Sequence, residues 1–294
     1  MSDSPANGAD LDALHERVLA WFEENARVLP WRGVDDPWAV LVSELMLQQT
    51  PVARVLPVFE AWMARWPTPA SLAADPAGEA VRAWGRLGYP RRAQRLHAAA
   101  VAITEHHGGE VPSDHAALLA LPGVGEYTAA AVASFAFGQR HVVLDTNVRR
   151  VLARVLLGQA HPARSLTASE RRLADRALPR ADAHRWAAAS MELGALVCTA
   201  RSPRCTECPV ADLCRWFAAG RPEPDEPVRR SQAWTGTDRQ CRGRLMAVLR
   251  EHEGTVPKVA LDATWDDATQ RERCLDSLLD DGLVTVHPDG TFSL

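Results

Sequence analysis

Lysine is almost absent from this 294-residue sequence. Of its 33 basic residues only Lys258 carries an amine side chain; all the others are arginines. A guanidinium stays protonated and is a poor nucleophile, so chemistry through a lysine imine has a single, C-terminal candidate. Net charge is small as well, formally −4, and its total does not advertise a nucleic-acid partner. Long apolar runs are missing: none approaches the roughly 18 residues that span a bilayer. The opening residues, MSDSPANGADLD, are polar and acidic, unlike a secretory signal. These absences predict a soluble, cytoplasmic protein with no membrane partner.

What remains reads as helix. Hydrophobic residues make up 47%, ample for a core, and the length suits two domains or three. No convincing strand precedes residue 240 and no unit repeats, so the first three quarters are all-α. Residues 1–9 look disordered, and Asp10 caps an amphipathic helix with Leu11, Leu14, Val18 and Phe22 on one side. Asp36-Pro37 opens a second helix, Trp38 to Gln49, with a cap and a proline in its first turn. It is nearly all apolar, yet Glu44 sits at its centre, where a carboxylate is costly unless paired or protonated. Asp75-Pro76 opens another helix, a basic helix runs to His107, and Ser113 caps a short one. Residues 80–100 hold Arg82, Arg86, Arg91, Arg92 and Arg95 with no acid, which beside a phosphate-binding turn reads as a phosphate track.

That turn is Leu121-Pro122-Gly123-Val124-Gly125. Its two glycines are free to adopt positive φ and can aim backbone N–H groups at an anion in front of the next helix. Gly138 closes that helix, and Asp145 caps the one after it. Further on, Cys198, Cys205, Cys208 and Cys214 are spaced C-x6-C-x2-C-x5-C. Disulfides are disfavoured in a cytosolic protein. Zinc is the rival, but its sites usually pair two C-x2-C knuckles, whereas a compact all-Cys loop suits a cubane iron–sulfur cluster. Cys241 and Cys274 lie far off and read as ordinary residues. Residues 219–239 contain a Pro-rich charged linker, and 240–294 predict two helices and a β-hairpin, a small winged-helix-like module.

Together these segments resemble the endonuclease III superfamily of helix-hairpin-helix glycosylases with an iron–sulfur cluster, over residues 10 to about 217. Within it they are most similar to the adenine DNA glycosylase family, known as MutY. Ser43 to Thr50 matches that family's catalytic-Glu helix, Gly123 to Thr128 its hairpin, and Asp145 to Arg150 its catalytic-Asp segment. The cysteine spacing is the superfamily's own.

The resemblance implies a mainly α fold of two lobes: 10–34 plus 146–218 around the cluster, and 35–145 with the hairpin. It implies that Glu44 protonates the departing adenine and that Asp145 stabilises the positively charged sugar, with Tyr127 and Asn147 assisting. Gln49, Thr50, Tyr89, Leu121, Gly123, Val124 and Gly125 would contact DNA, and Arg27, Trp31 and Leu47 would line the adenine pocket. The four cysteines would hold a [4Fe-4S] cluster. The substrate would be double-stranded DNA with adenine opposite 8-oxoguanine or guanine, bound by a nucleoid-associated monomer.

Three features depart from the family. Gly88-Tyr89-Pro90 replaces the common Gly-Leu-Gly-Tyr-Tyr, and Asp145-Thr146 replaces Asp-Gly. Residues 230–294 are too short for the family's usual 8-oxoguanine-reading domain. The superfamily's backbone-cleaving members carry Lys where this chain has Tyr127. The alternatives are a thymine or uracil mismatch glycosylase, an abasic-site lyase, or a non-catalytic cluster-bearing regulator, the last with no need for Glu44 and Asp145 together.

Overall fold

The computed structural model describes residues 8–223 and 234–294. The expected disordered arm and linker fall partly on residues 1–7 and 224–233, outside the described residues. In chain order the helices are α1 (Gly8–Asn25), α2 (Pro37–Leu47), α3 (Val52–Arg65), α4 (Pro69–Ala73), α5 (Ala77–Trp84), α6 (Arg91–His106), α7 (His115–Ala120) and α8 (Glu126–Phe137). There follow α9 (Thr146–Leu152), α10 (Ala168–Ala177), α11 (Ala183–Leu196), α12 (Arg215–Ala218), α13 (Asp238–Glu251), α14 (Lys258–Asp262) and α15 (Ala268–Asp280). A π-helical turn, Ala153–Leu157, continues α9.

Short polar side chains set several helix starts. Asp36 accepts hydrogen bonds from the Trp38 and Ala39 amides, as its place before Pro37 predicts. Helix α1 starts at Gly8, ahead of the expected arm boundary, so Asp10 lies inside its first turn rather than capping it. Two further starts are also held differently. Asp75 caps nothing; its carboxylate takes Arg65 and the Trp66 indole N–H instead. Asp114, not Ser113, holds the first turn of α7, accepting from the Ala117 amide. Gly138 closes α8 in the left-handed region, donating to the Ala133 and Ser134 carbonyls.

The chain separates into two compact units. The first draws on the described residues among 1–40, 113–119 and 124–228. Its core joins Leu14 and Val18 of α1, Val148 and Val151 of α9, and Trp186 and Leu193 of α11. Helices α9 and α11 approach closely because residue 194 is glycine: a Cβ there would lie 2.7 Å from the Asn147 Cβ.

The second unit comprises residues 41–112, 120–123 and 229–294. Trp62, Trp66 and Trp84 pack edge to face in its core, at 4.7 and 5.8 Å between centroids. The tail adds α13 to α15 and a three-stranded antiparallel sheet of order β1-β3-β2 (Val256–Pro257, Thr291–Ser293, Thr285–Val286). The hairpin was legible in the sequence; β1, only two residues long, was not.

The arginine stretch has a different use from the expected phosphate track at two of its positions. Arg92 is buried, and Arg82 Nη1 donates to the carbonyls of Leu249, Arg250 and His252, at 3.0, 2.6 and 2.7 Å. These carbonyls lie at the C-terminal end of α13, where helical partners run out. Gly78 lets the last residue in: a Cβ there would stand 2.5 Å from the Leu294 carbonyl oxygen. Arg82→Met keeps the apolar stem and removes the donors. It should destabilise the tail by about 1–3 kcal/mol, seen as faster amide exchange across α13; native protection there would show that the tail is held elsewhere.

Candidate active site

Asp145 is fixed through both carboxylate oxygens. Oδ1 accepts from the Val148 amide at 2.7 Å, making Asp145 the N-cap of α9, and Oδ2 accepts from Asn147 Nδ2 at 2.7 Å. Asn147 Oδ1 in turn accepts from Arg150 Nη2 at 2.7 Å. Arg150 also donates to the Gly194 carbonyl and, through Nε, to the Cys198 carbonyl, each at 2.7 Å. Burial pushes the Asp145 carboxyl above the usual aspartate range, against the Val148 and Asn147 hydrogen bonds and the Arg150 charge. Tyr127, in the first turn of α8, packs beside Ala130, Ala131, Val143 and Ala187.

Arg27 and Arg32 converge on Glu192, whose side chain is 1% exposed. Arg27 binds in bidentate fashion through Nε and Nη2 at 2.7 Å and adds its own amide at 3.0 Å. Burial alone would raise the Glu192 carboxyl, but the two guanidiniums bring it down to about 2. Trp31, between the two arginines in sequence, is buried.

The four expected cysteines lie on one loop against the α1–α9–α11 core. None of them is in a disulfide, and among the described residues no three His, Cys, Asp or Glu close around a single-ion position. Burial raises Cys208 to about 12, and the neighbouring Cys198, Cys214 and Cys205 add to it. The surroundings fit anionic sulfur. Arg154, almost wholly buried, has no carboxylate partner among the described residues; Nη1 donates to Cys198 Sγ at 3.3 Å and to the Thr199 carbonyl at 2.8 Å. Its guanidinium also lies 4.4 Å over the Trp216 ring. A buried cation aimed at a sulfur favours thiolate ligands.

In the second unit, Glu44 is buried on α2, with Leu47 partly exposed beyond it. The helix stops at Leu47, two residues before the expected end, because Gln49 turns into the left-handed region (φ 55°). Tyr89 does the same (φ 49°), and both side chains are exposed. Such backbone is costly for residues with a Cβ and is retained where the surroundings enforce it. Arg92 does so here: Nη1 donates to the Leu45, Met46 and Gln48 carbonyls, and Nη2 to the Gly88 carbonyl and Thr50 Oγ1. Burial lowers its guanidinium to about 10.

The hairpin spans the division between the units, with Leu121 and Gly123 in the second and Val124 and Gly125 in the first. Leu121 and Val124 are buried, leaving the exposed glycines and their backbone to meet a ligand. Only Gly123 takes a positive φ (78°); Gly125 is extended and precedes α8 without a side-chain cap, so early helix amides remain available. A Cβ on Gly123 would stand 2.6 Å from the Arg95 Cβ.

The first unit therefore holds Arg27, Trp31, Val124, Gly125, Tyr127, Asp145, Asn147 and the four cysteines; the second holds Glu44, Leu47, Gln49, Thr50, Tyr89, Leu121 and Gly123. Sequence reasoning missed Arg154 and Glu192, placed Arg92 in a phosphate track and gave Arg150 no role of its own. Glu192 had the signal that exposed Glu44, a lone carboxylate in an apolar helix. The arginines had none, because their partners are backbone carbonyls.

Residues 42–175 match the family model described as HhH-GPD superfamily base excision DNA repair protein, and residues 198–214 match the iron–sulfur binding domain of endonuclease III. The loop is thus an iron–sulfur binding loop. The adenine DNA glycosylase of Mycobacterium tuberculosis strain H37Rv is 52% identical over 281 residues, covering 94% of this chain and 92% of that protein. The adenine DNA glycosylase of Mycolicibacterium smegmatis is 51% identical over 280 residues, covering 94% of each. Among solved structures, a thermostable thymine-DNA glycosylase superposes with a TM-score of 0.65 at 26% identity, over 72% of this chain and 98% of that one.

The Glu192 cluster makes stability depend on acid. A carboxyl held near 2 when folded and at 4.5 when unfolded contributes fully above about pH 4.5 and loses that contribution as pH falls toward 2. Glu192→Gln should lower the melting temperature at pH 7 and flatten its fall between pH 5 and 3; an unchanged pH profile would remove Glu192 as the cause.

Proposed function

Since the chain belongs to the HhH-GPD superfamily of base excision DNA repair proteins and to its adenine DNA glycosylase family, we propose that it is a monofunctional enzyme excising adenine mispaired with 8-oxoguanine or guanine in double-stranded DNA. The observation that carries the mechanism is the fixation of Asp145 from both sides. A carboxylate held by Val148 and Asn147 is already placed to face positive charge and need not reorganise as that charge forms.

The adenine must leave the base stack before its bond to the sugar can break. The exposed hairpin backbone at Gly123 and Gly125 binds the phosphate of the extruded nucleotide, while Leu121 and Val124 anchor the turn. Gln49 and Tyr89, on their two enforced turns, enter the opened duplex beside Thr50. Arg27, Trp31 and Leu47 border the base. Adenine departs poorly as an anion, so the buried Glu44 delivers a proton to a ring nitrogen as the glycosidic bond lengthens. Cleavage leaves an oxocarbenium-like sugar, which Asp145 stabilises. Tyr127 and Asn147 orient the participating groups and water. Cys198, Cys205, Cys208 and Cys214 would hold a four-iron cubane. When bound, it supplies the iron–sulfur bonds that close the loop whose Cys198 carbonyl Arg150 uses.

Glu44→Gln and Asp145→Asn should each slow single-turnover adenine excision by about 10²–10⁴-fold while sparing duplex binding. A near-native rate in either, with full iron content, would remove that residue from the mechanism.

A second reading rests on the likeness to thymine-DNA glycosylases in sequence and in structure. Duplexes with T opposite G, beside A opposite 8-oxoguanine and A opposite G, separate the two by which strand becomes alkali-labile.

The absence of lyase activity has its own support. Lys258 is held by Asp262 at 2.7 Å and Glu272 at 2.6 Å. Burial pulls its amine down, but those two hydrogen bonds raise it overall, so it stays protonated. Borohydride should trap little covalent protein–DNA complex, and the product strand should break only with alkali or heat. Efficient trapping that persists in Lys258→Ala lacking residues 1–9 would place the protein on the lyase branch.

A further inference from the structure

The second unit holds a cleft of about 1260 Å³ whose lining, among the described residues, contains nine arginines and a single acid, Asp281. Asp281 is already shared between Arg91 at 3.2 Å and Arg242 at 2.6 Å, and Arg92 is committed to carbonyls. Among the described residues none of the other guanidiniums has a carboxylate partner; Arg54 donates to the Arg86 carbonyl, and Arg244 lies 5.1 Å over the Trp265 ring. Burial and the Arg86 charge both lower the Arg250 guanidinium, and its buried Nε has no hydrogen-bond partner among the described residues. So many like charges in one concavity repel unless an anion fills it.

One wall comes from the glycosylase body: Arg86, Tyr89 and Arg95, with Gln49 at the rim. The other is α13 of the tail, which contributes Arg239 and Arg244. The walls touch where Arg239 donates to the Tyr89 hydroxyl at 3.1 Å and lies 5.7 Å over its ring. Trp234, 53% exposed, adds an aromatic face. A long, arginine-lined groove with interleaved aromatic rings suits a phosphodiester chain better than a lone phosphate.

We propose that the C-terminal module is a working wall of the DNA-binding surface, with Arg239 and Arg244 of α13 taking backbone phosphates of the duplex that Gln49 and Tyr89 enter. The inference rests on the glycosylase function above for the identity of that duplex. The phosphate contacts made by α13 hold the DNA beside the strained Tyr89 turn, from the opposite side to Arg86 and Arg95. No base contact is required of the module.

The test uses the full-length, iron-loaded protein and fluorescence anisotropy on two duplexes, one undamaged and one with A opposite 8-oxoguanine, across a salt series. Each phosphate neutralised contributes roughly 0.9 to the slope of log affinity against log salt. Arg239→Gln/Arg244→Gln should therefore reduce the slope by about 2 on both duplexes and weaken low-salt binding about tenfold or more. Arg239→Lys/Arg244→Lys should keep the slope.

An unchanged slope in the folded Gln variant would overturn the proposal. So would a Lys variant that loses as much as the Gln variant, since that marks a structural role rather than charge. If the Gln pair lowers the melting temperature, Arg239→Gln alone decides the matter: a slope reduced by about 1 supports the cleft, and an unchanged one sinks it. Binding to undamaged DNA needs no chemistry. A wild-type protein that excises no adenine but shows the slope change would leave the cleft standing and remove only the glycosylase function.

Discussion

A guanidinium buried among backbone carbonyls is the recurring fastener of this protein. Arg92 ties the end of α2 to the turn before α6; Arg82 closes α13; Arg150 ties α9 to α11 and to the cysteine loop; Arg154 sits behind that loop. Arg92, Arg150 and Arg154 are charges in poorly solvated places, held by converging carbonyl dipoles, whereas Arg82 is partly exposed and also meets Glu79 at 3.2 Å. A guanidinium presents five N–H donors in a fixed plane, so one side chain can join three or four stretches of chain. An ammonium could match neither the reach nor the geometry, which gives the near absence of lysine a structural correlate.

This fastening also explains what could be read from the sequence. Glu44 was legible because a lone carboxylate in WAVLVSELMLQQ breaks an apolar pattern. Asp145 was legible because a cap before VRRVL is a local event, and the cysteines because their spacing is. The helix start at Asp36-Pro37, the close at Gly138 and the tail hairpin depend on neighbours only and came out as expected. The left-handed turns at Gln49 and Tyr89 were hidden, since neither residue type favours that backbone; Arg92, more than forty positions from Gln49, enforces the first. The arginine stretch was misjudged at Arg82 and Arg92 for the same reason. Composition shows a charge but not whether it meets water, phosphate or a carbonyl.

The cysteine loop and Asp145 belong to one hydrogen-bonded series within the first unit. From the Cys198 carbonyl the series runs through Arg150 to Asn147 and ends on Asp145 Oδ2. A metal loop far along the chain can thus stiffen a carboxylate without touching it. Arg150 held on the Cys198 carbonyl leaves Asn147 one amide orientation, in which Oδ1 accepts and Nδ2 donates, and a cluster on the four cysteines would hold that carbonyl in place.

Gly194 is the quiet member of that series. Its missing side chain lets α11 lie against Asn147, and its carbonyl takes one of the Arg150 donors. A single methyl group at this site would wedge the two helices apart by tenths of an ångström, and Asp145 rides on the one that moves. The tolerance of the whole enzyme to mutation is therefore uneven in a way that distance from the substrate does not reveal. A residue with no reactive atom, deep in helix packing, thus governs where the Asp145 carboxylate lies.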